Sequence, residues 1–326
     1  MARKPLLEIV LANPRGFCAG VERAIKTVEH ALAEFGAPVY VRHEIVHNAR
    51  VCDDLRAKGA VFVEEVEEVP PNSVVIFSAH GVPRRVENAA EAAAHHVIDA
   101  TCPLVSRVHV GGRRYVMDGR RVILIGHRGH PEVEGTLGQI ETPPDRPVLV
   151  VASASDVEAL DLQPDEPVSY VTQTTLSVSD TRGIIDAIRR RWPDAEGPDT
   201  RDICYATQNR QQAVAEIAGL VDAVVVVGAR NSSNSNRLVE IALAAGVPAR
   251  LVPSVADLER DFVEGVRRLG ISAGASAPAV LVDEVMARLA DWFDLSVTEV
   301  MGKREDVSFR LPRGLGNTLG RVARRA

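Results

Sequence analysis

Three cysteines stand at equivalent places along the chain. Cys18 lies in LEIVLANPRGFCAGVERAIKTVEHAL, Cys102 in HHVIDATCPLVSRVHVGGRRYV and Cys204 in DTRDICYATQNRQQAVAEIAGLV. Each follows a short apolar run that reads as a strand and opens a segment with helical spacing. A thiol there meets the positive end of the helix dipole and unpaired backbone N–H groups, which favour thiolate, the metal-binding form. Pro103 suits the first helical turn. Taken singly, each cysteine could be a small buried hydrophobe. Three matched positions point instead to one shared metal centre. Structural zinc takes four protein ligands, often in CxxC pairs, and no such pair occurs in this sequence. A [4Fe–4S] cluster is usually held by four cysteines; held by three, it leaves one iron open as a Lewis acid on a substrate oxygen while the cluster supplies electrons. Cys52, in NARVCDDLRAKG, has no counterpart and reads as structural.

Polar residues recur at the ends of apolar runs. From Cys18, His47 and His80 lie 29 and 62 residues on; from Cys102, His130 and Thr174 lie 28 and 72 on; from Cys204, Ser232 and Ser276 lie 28 and 72 on. Histidines gather at such ends: His43 and His47 in YVRHEIVHN, His80 in FSAHGV, His127 and His130 in IGHRGHPEVEG. Several in one chain suit anion recognition or proton transfer. NSSNSN (231–236) precedes a helical run, so it either caps that helix or cradles a phosphate at its N-terminus. ISAGASAP offers a similar turn with Ser272 and Ser276. Glu132 is the best carboxylate for acid chemistry, since poor solvation could keep it protonated. GHPE could also be a small metal site, but a helical HExxH spacing is lacking. TQTTLS (172–177) offers hydroxyls for a substrate alcohol, or a helix cap.

These residues need strands and helices to position them. Val/Ile-rich runs such as VVIFSAHG, VILIGH, VLVVAS and AVVVVGAR are nearly continuous, as in strands buried on both faces. Amphipathic helices alternate with them; after Cys18, Val21, Ala24, Ile25, Val28, Leu32 and Phe35 follow helical spacing and Gly36 stops it. The alternation predicts an α/β fold with mainly parallel sheets and right-handed crossovers. The recurrence predicts three pseudo-equivalent α/β repeats over residues 1–100, 101–202 and 203–310, with a basic tail at 311–326. Pro193, Gly197 and Pro198 punctuate the second boundary. Ligands of parallel α/β units bind beyond the strands' carboxyl ends, so three such ends could share one cavity.

With 326 residues the chain exceeds one compact core. A hydrophobic fraction of 46% and a charged fraction of 25% are those of a soluble globular protein. A net charge of -6 argues against recruiting nucleic acid through the whole surface. The tail is locally basic (Arg310, Arg313, Arg321, Arg324, Arg325) and reads as a solvated end. No apolar run reaches the roughly 20 residues that span a bilayer. The N-terminus lacks a small-residue cleavage site after its short apolar run, which argues against a signal peptide. Four scattered cysteines do not form a disulfide framework, and a cytoplasmic location is expected. GxxxxGK[ST] is absent and no strand–GxGxxG–helix stands out, which disfavours P-loop and nicotinamide chemistry.

LANPRGFCAGVERAI, YVRHEIVHN, FSAHGVP, DATCPLV, ILIGHRGHPEVEGT, TQTTLSV, DICYATQNRQ, NSSNSNRL and SAGASAP, in this order, resemble the 4-hydroxy-3-methylbut-2-enyl diphosphate reductase family over about residues 7 to 310. The resemblance implies a trefoil of three α/β domains around one [4Fe–4S] cluster. It implies reductive dehydroxylation of that diphosphate to isopentenyl and dimethylallyl diphosphate, the last step of the methylerythritol phosphate route to isoprenoids. On the matched positions, Cys18, Cys102 and Cys204 would hold the cluster, and His47, His80, Ser232, Ser233, Asn234 and Ser276 the diphosphate. His130 would lie between the diphosphate and the reacting carbons, Thr174 near the substrate hydroxyl, and Glu132 would deliver the proton. Two electrons would come from a ferredoxin or flavodoxin. The residues themselves also admit a zinc hydrolase acting on a phosphate ester, a non-enzymatic iron–sulfur sensor or phosphate-binding module, and another three-cysteine dehydratase of the quinolinate synthase type. GHPE and NSSNSN favour the diphosphate reader.

Overall fold

The computed structural model describes residues 4–93, 95–313 and 315. The chain opens with β1 (Leu6–Asn13) and α1 (Ala19–Phe35). A four-strand stretch follows: β2 (Val39–Arg42), α2 (Ala49–Ala57), β3 (Ala60–Val63), β4 (Val74–Phe77), α3 (Arg84–Ala92) and β5 (His96–Asp99). Next come α4 (Pro103–Met117), β6 (Arg121–Ile125), α5 (Pro131–Gln139), β7 (Leu149–Val151), α6 (Ala154–Glu158), β8 (Val168–Thr172) and α7 (Val178–Arg191). The rest comprises α8 (Tyr205–Ala218), β9 (Ala223–Val227), α9 (Ser233–Ala244), β10 (Ala249–Val252), α10 (Arg260–Val263), β11 (Arg268–Ala273), α11 (Ala279–Trp292) and β12 (Asp294–Met301).

The strands form three sheets, ordered β10-β9-β11-β1-β12, β3-β2-β4-β5 and β7-β6-β8. Every strand pairing among the described residues is parallel. A parallel isolated bridge from Ser169 to Glu196 adds a rudimentary fourth position beside β8. The fold is thus α/β with parallel sheets and crossover helices, as the alternating pattern predicts.

Two compact units are distinct. One holds residues 4–18, 47–49 and 205–307 and contains the five-stranded sheet; the other holds 19–46, 50–93, 95–204, 308–313 and 315 and contains the other two sheets. In the first unit the run AVVVV is buried on both faces. Val225 and Val227 pack with Leu7, Ile9, Leu269 and Ile271 against Leu281, Val285 and Leu289 of α11. Val224 and Val226 face Val214 of α8 and Leu238 and Ala242 of α9. The period of two along a strand demands an apolar residue at every position when helices cover both sides. In the second unit Ile123 and Ile125 pack with Tyr170 against Ile184, Ile188 and Trp192, while Val122 and Leu124 face Val108 and Val133.

The sheets share one order of roles. β10, β3 and β7 are edge strands; β9, β2 and β6 lie next to them, then β11, β4 and β8. β1, β5 and the Glu196 bridge come fourth. Strands β2–β5, β6–β8 and β9–β12 each fall within one of the expected divisions 1–100, 101–202 and 203–310, and β1 departs by joining the sheet of the third. The division groups each thiol with the strands that follow it, whereas the backbones of Cys102 and Cys204 pair beside strands that precede them. Cys102 follows β5 of the β2–β5 sheet, and Cys204 follows the bridge beside β8. Cys18 follows β1, which inserts between β11 and β12, with Ile9 opposite Leu269 and Val297. Hydrogen-bond partners assign a strand to its sheet, and those of β1 come from the far end of the sequence. Of the basic tail, Arg321, Arg324 and Arg325 lie outside the described residues. Arg310 and Arg313 are exposed, as a solvated end requires, while the Arg310 carbonyl accepts from Arg23 Nε at 2.8 Å.

Helix α5 approaches the loop after β4 closely, and glycines make this possible. A Cβ on Gly138 would lie 2.3 Å from Pro83 Cβ, and one on Gly135 would lie 3.1 Å from the backbone carbonyl of Gly81. Gly138→Ala overpacks this contact and should lower stability by roughly 1–3 kcal/mol. Denaturant unfolding midpoints of the two proteins measure it; equal midpoints would mean that α5 can shift without cost.

Candidate active site

Each of the three recurrent cysteines immediately precedes a helix, at Ala19, Pro103 and Tyr205. The backbone holds all three in a related way. Cys18 N–H donates to Ala275 O at 3.2 Å, Cys102 N–H to Ala79 O at 3.0 Å and Cys204 N–H to Thr174 O at 3.0 Å. Two of these contacts continue a parallel ladder, since Gly16 N–H reaches Ala273 O at 3.0 Å and Ala100 N–H reaches Phe77 O at 3.1 Å. The thiols therefore sit beyond the strand ends, at the N-termini of the helices that follow. All three lie outside any disulfide and are partly exposed, whereas Cys52 is buried. Burial, reinforced by Glu44, pushes the Cys52 thiol up to about 11, which keeps it neutral and unsuited to bind metal. Three accessible thiols at helix N-termini are a donor set that fits a thiolate-bound cluster. Among the described residues no three His, Cys, Asp or Glu side chains are grouped to hold a single metal ion.

The first unit carries Cys18, His47, Ser232, Ser233, Asn234 and Ser276. Ser232 is the N-cap of α9 and accepts from Ser235 N–H at 3.3 Å and from the Ser235 hydroxyl at 3.0 Å. The capping reading of NSSNSN thus holds for Ser232. Its two acceptor positions are taken and its own O–H remains to donate. Asn234 Oδ1 accepts from Ala275 N–H at 2.9 Å, which ties the NSSNSN turn to the SAGAS turn. The Ser276 hydroxyl donates to His47 O at 2.9 Å, and Asn231 Nδ2 lies 3.4 Å from His47 Nδ1. Ser272, offered by the sequence as a turn residue, lies instead within β11, fully buried.

The second unit carries His80, Cys102, His130, Glu132, Thr174 and Cys204. His130 is the N-cap of α5, and its Nδ1 accepts from Glu132 N–H at 3.1 Å. A neutral His130 therefore carries its proton on Nε2. The His80 ring stands edge-on to it, with centroids 6.1 Å apart. Glu132 is 3% exposed. Its Oε1 accepts from Thr174 N–H at 2.6 Å and its Oε2 from the Thr174 hydroxyl at 2.9 Å. Burial raises the Glu132 carboxyl to about 7 despite these two bonds, and the nearby Asp202 adds to the rise. The acid expected from GHPE is thus a buried carboxyl poised near neutrality.

Sequence reasoning missed two supports of this group. Asp202, two residues before Cys204, accepts from Thr172 N–H at 3.3 Å and is itself raised by burial. Gln173 accepts from His127 N–H at 3.0 Å and donates to Thr175 at 2.9 Å, which fixes the TQTT turn. Both adjoin residues that the sequence singles out, but neither stands in a recurring position. His43 and His127 do not join the cluster. They line separate grooves of about 530 and 550 Å³ respectively.

The description "LytB protein" belongs to the family whose pattern matches residues 9–290. The chain is 56% identical over 315 residues to the 4-hydroxy-3-methylbut-2-enyl diphosphate reductase of Burkholderia pseudomallei (strain 1026b), covering 97% of this chain and 99% of that protein. It is 53% identical over 309 residues to the enzyme of the same name from Pseudomonas aeruginosa (strain LESB58), covering 95% and 98%. The solved structure of the E-1-hydroxy-2-methyl-but-2-enyl-4-diphosphate reductase from Plasmodium falciparum aligns with a TM-score of 0.88 at 35% identity, over 99% of each chain. Agreement in sequence and in fold along nearly its whole length makes this chain a member of the LytB family.

Proposed function

We propose that this chain reduces 4-hydroxy-3-methylbut-2-enyl diphosphate to isopentenyl and dimethylallyl diphosphate. The substrate's C–O bond breaks, its oxygen leaves as water with one added proton, a second proton goes to carbon, and two electrons come from a ferredoxin or flavodoxin. The names of the relatives supply the substrate. The observation that carries the chemistry is the buried Glu132 carboxyl, raised to about 7 and fastened by Thr174. A hydroxyl leaves poorly as hydroxide, and an acid that is half protonated near neutral pH is matched to turning it into water.

Cys18, Cys102 and Cys204 would hold a [4Fe–4S] cluster through their thiolates. When bound, such a cluster supplies Lewis acidity at the iron without a protein ligand and passes electrons one at a time. The chain's own residues do the rest. Glu132 gives its proton toward the departing hydroxyl while the Thr174 hydroxyl holds its second oxygen. His130 offers Nε2–H between the diphosphate and the reacting carbons. Ser232 offers its remaining O–H to the diphosphate at the N-terminus of α9, where the helix dipole favours anions. Ser233, Asn234, His47 and His80 complete the donors, and Ser276 joins them by turning its hydroxyl from His47 O.

Three results are expected. Replacing Cys18, Cys102 or Cys204 with Ala should abolish the brown cluster absorbance after anaerobic reconstitution, while Cys52→Ala keeps it; the ligand assignment fails if Cys52→Ala bleaches like the others. Glu132→Gln should keep iron, sulfide and substrate binding and lose about 10²–10⁴-fold in turnover. Near-normal turnover would end the proton-donor role. The same variant should change how stability depends on pH. The folded Glu132 carboxyl lies above its ordinary 4.5, at about 7, so the folded chain binds more protons between these values. Its stabilising effect is complete below about pH 4.5 and is lost as pH rises through about 7. Glu132→Gln should remove roughly 3 kcal/mol of that decline, read from melting temperatures across the window.

A further inference from the structure

Each helix that follows a recurrent cysteine carries an arginine in its first two turns. Arg23 and Arg107 lie five residues after Cys18 and Cys102, and Arg210 six after Cys204. In every case the guanidinium reaches the loop that precedes a different cysteine. Arg23 donates to Thr101 O at 3.0 Å and Asp99 O at 3.4 Å, one and three residues before Cys102. Arg107 donates to Arg201 O at 2.5 Å, three residues before Cys204. Arg210 donates to Gly16 O at 2.7 and 2.9 Å and to Phe17 O at 3.1 Å, two and one residues before Cys18. The links run in a cycle: the helix after Cys18 holds the Cys102 loop, the helix after Cys102 holds the Cys204 loop, and the helix after Cys204 holds the Cys18 loop.

The segment after β12 braces two of these arginines. Glu305 accepts from Arg210 Nη1 at 3.0 and 3.3 Å, and from Asn209 at 3.0 Å. The carbonyl of Arg310 accepts from Arg23 Nε at 2.8 Å. Arg210 is 1% exposed. Burying a guanidinium is costly and adds little net stability even when paired, but its rigid fork fixes the groups it touches. The groups held here are peptide carbonyls one to three residues before the thiols.

We propose that Arg23, Arg107 and Arg210 are positioning residues, each holding the loop of a cysteine other than the one its own helix follows. The inference rests on the reading that these cysteines hold a cluster. It is tested by Arg23→Gln, Arg107→Gln and Arg210→Met, with the three Arg→Lys variants and Arg114→Gln as a control on α4, whose side chain is 81% exposed. In the metal-free full chain, amide hydrogen exchange should quicken about tenfold in the loop that the lost arginine reaches, with Lys restoring part of the protection. Arg107→Gln should thus loosen 201–204 and leave 14–18 unchanged. In the reconstituted protein, iron release to a chelator should quicken about tenfold in the same variants and not in Arg114→Gln. If Arg210→Met fails to fold, Glu305→Gln should loosen 14–18 to a smaller degree. Unchanged exchange in the targeted loop of a folded variant, or loosened loops with unchanged iron release, overturns the proposal. If the loops loosen as expected but the unmodified chain takes up no iron, the hold on the loops stands and the cluster reading falls.

Discussion

Parallel pairing is the constraint on which the rest of this structure depends. A parallel neighbour must be reached by a crossover, so a helix follows nearly every strand. All strands of one sheet then end at the same edge, and the residues just past those ends are brought together whatever their distance in sequence. This is why the SAGAS and NSSNSN turns touch through Asn234 and Ala275, and why Glu132, after β6, meets Thr174, after β8. The same pairing draws β1 between β11 and β12 and so joins the two ends of the chain in one sheet.

Two kinds of polar group result at these edges. Ser232 accepts both the amide and the hydroxyl of Ser235 in the first turn of α9, which leaves its own O–H a neutral donor with a defined direction. Such groups bind an anion without the desolvation cost that a buried cation would carry. Glu132 is the opposite case. Its carboxyl has lost water on all sides and recovered only two hydrogen bonds, both from Thr174. Desolvation outweighs them, and the acid stays protonated to about 7. One residue, Thr174, thus both orients the acid and presents its carbonyl to the Cys204 loop.

Much of this was legible in the sequence. The continuous apolar runs marked doubly covered strands, as AVVVV shows by packing on α11 with one face and on α8 and α9 with the other. The run from Val21 to Phe35 and its stop at Gly36 matched α1, which ends at Phe35 before a glycine with φ of 78°. GHPE marked a poorly solvated carboxyl, and Glu132 is 3% exposed. The three groups of strands were legible, since β2–β5, β6–β8 and β9–β12 each fall within one expected division, but the place of β1 was not, because a pattern of recurring offsets is unchanged when the chain is cut one strand earlier or later. Only pairing partners distinguish a thiol that opens a repeat from one that closes it. Asp202, Gln173 and the three arginines also escaped, since ordinary polar residues on loops and helices acquire their roles from what they touch.

The sequence by itself determined the α/β class, the parallel character of the sheets and the recurring thiol, because each depends on local periodicity or on residue type. Tertiary structure alone decided that β1 belongs with β11 and β12, that Cys52 is kept neutral at about 11, and that Glu132 rises to about 7. Those outcomes depend on which groups exclude water or supply a hydrogen bond across long separations in sequence, and no local pattern encodes such partners.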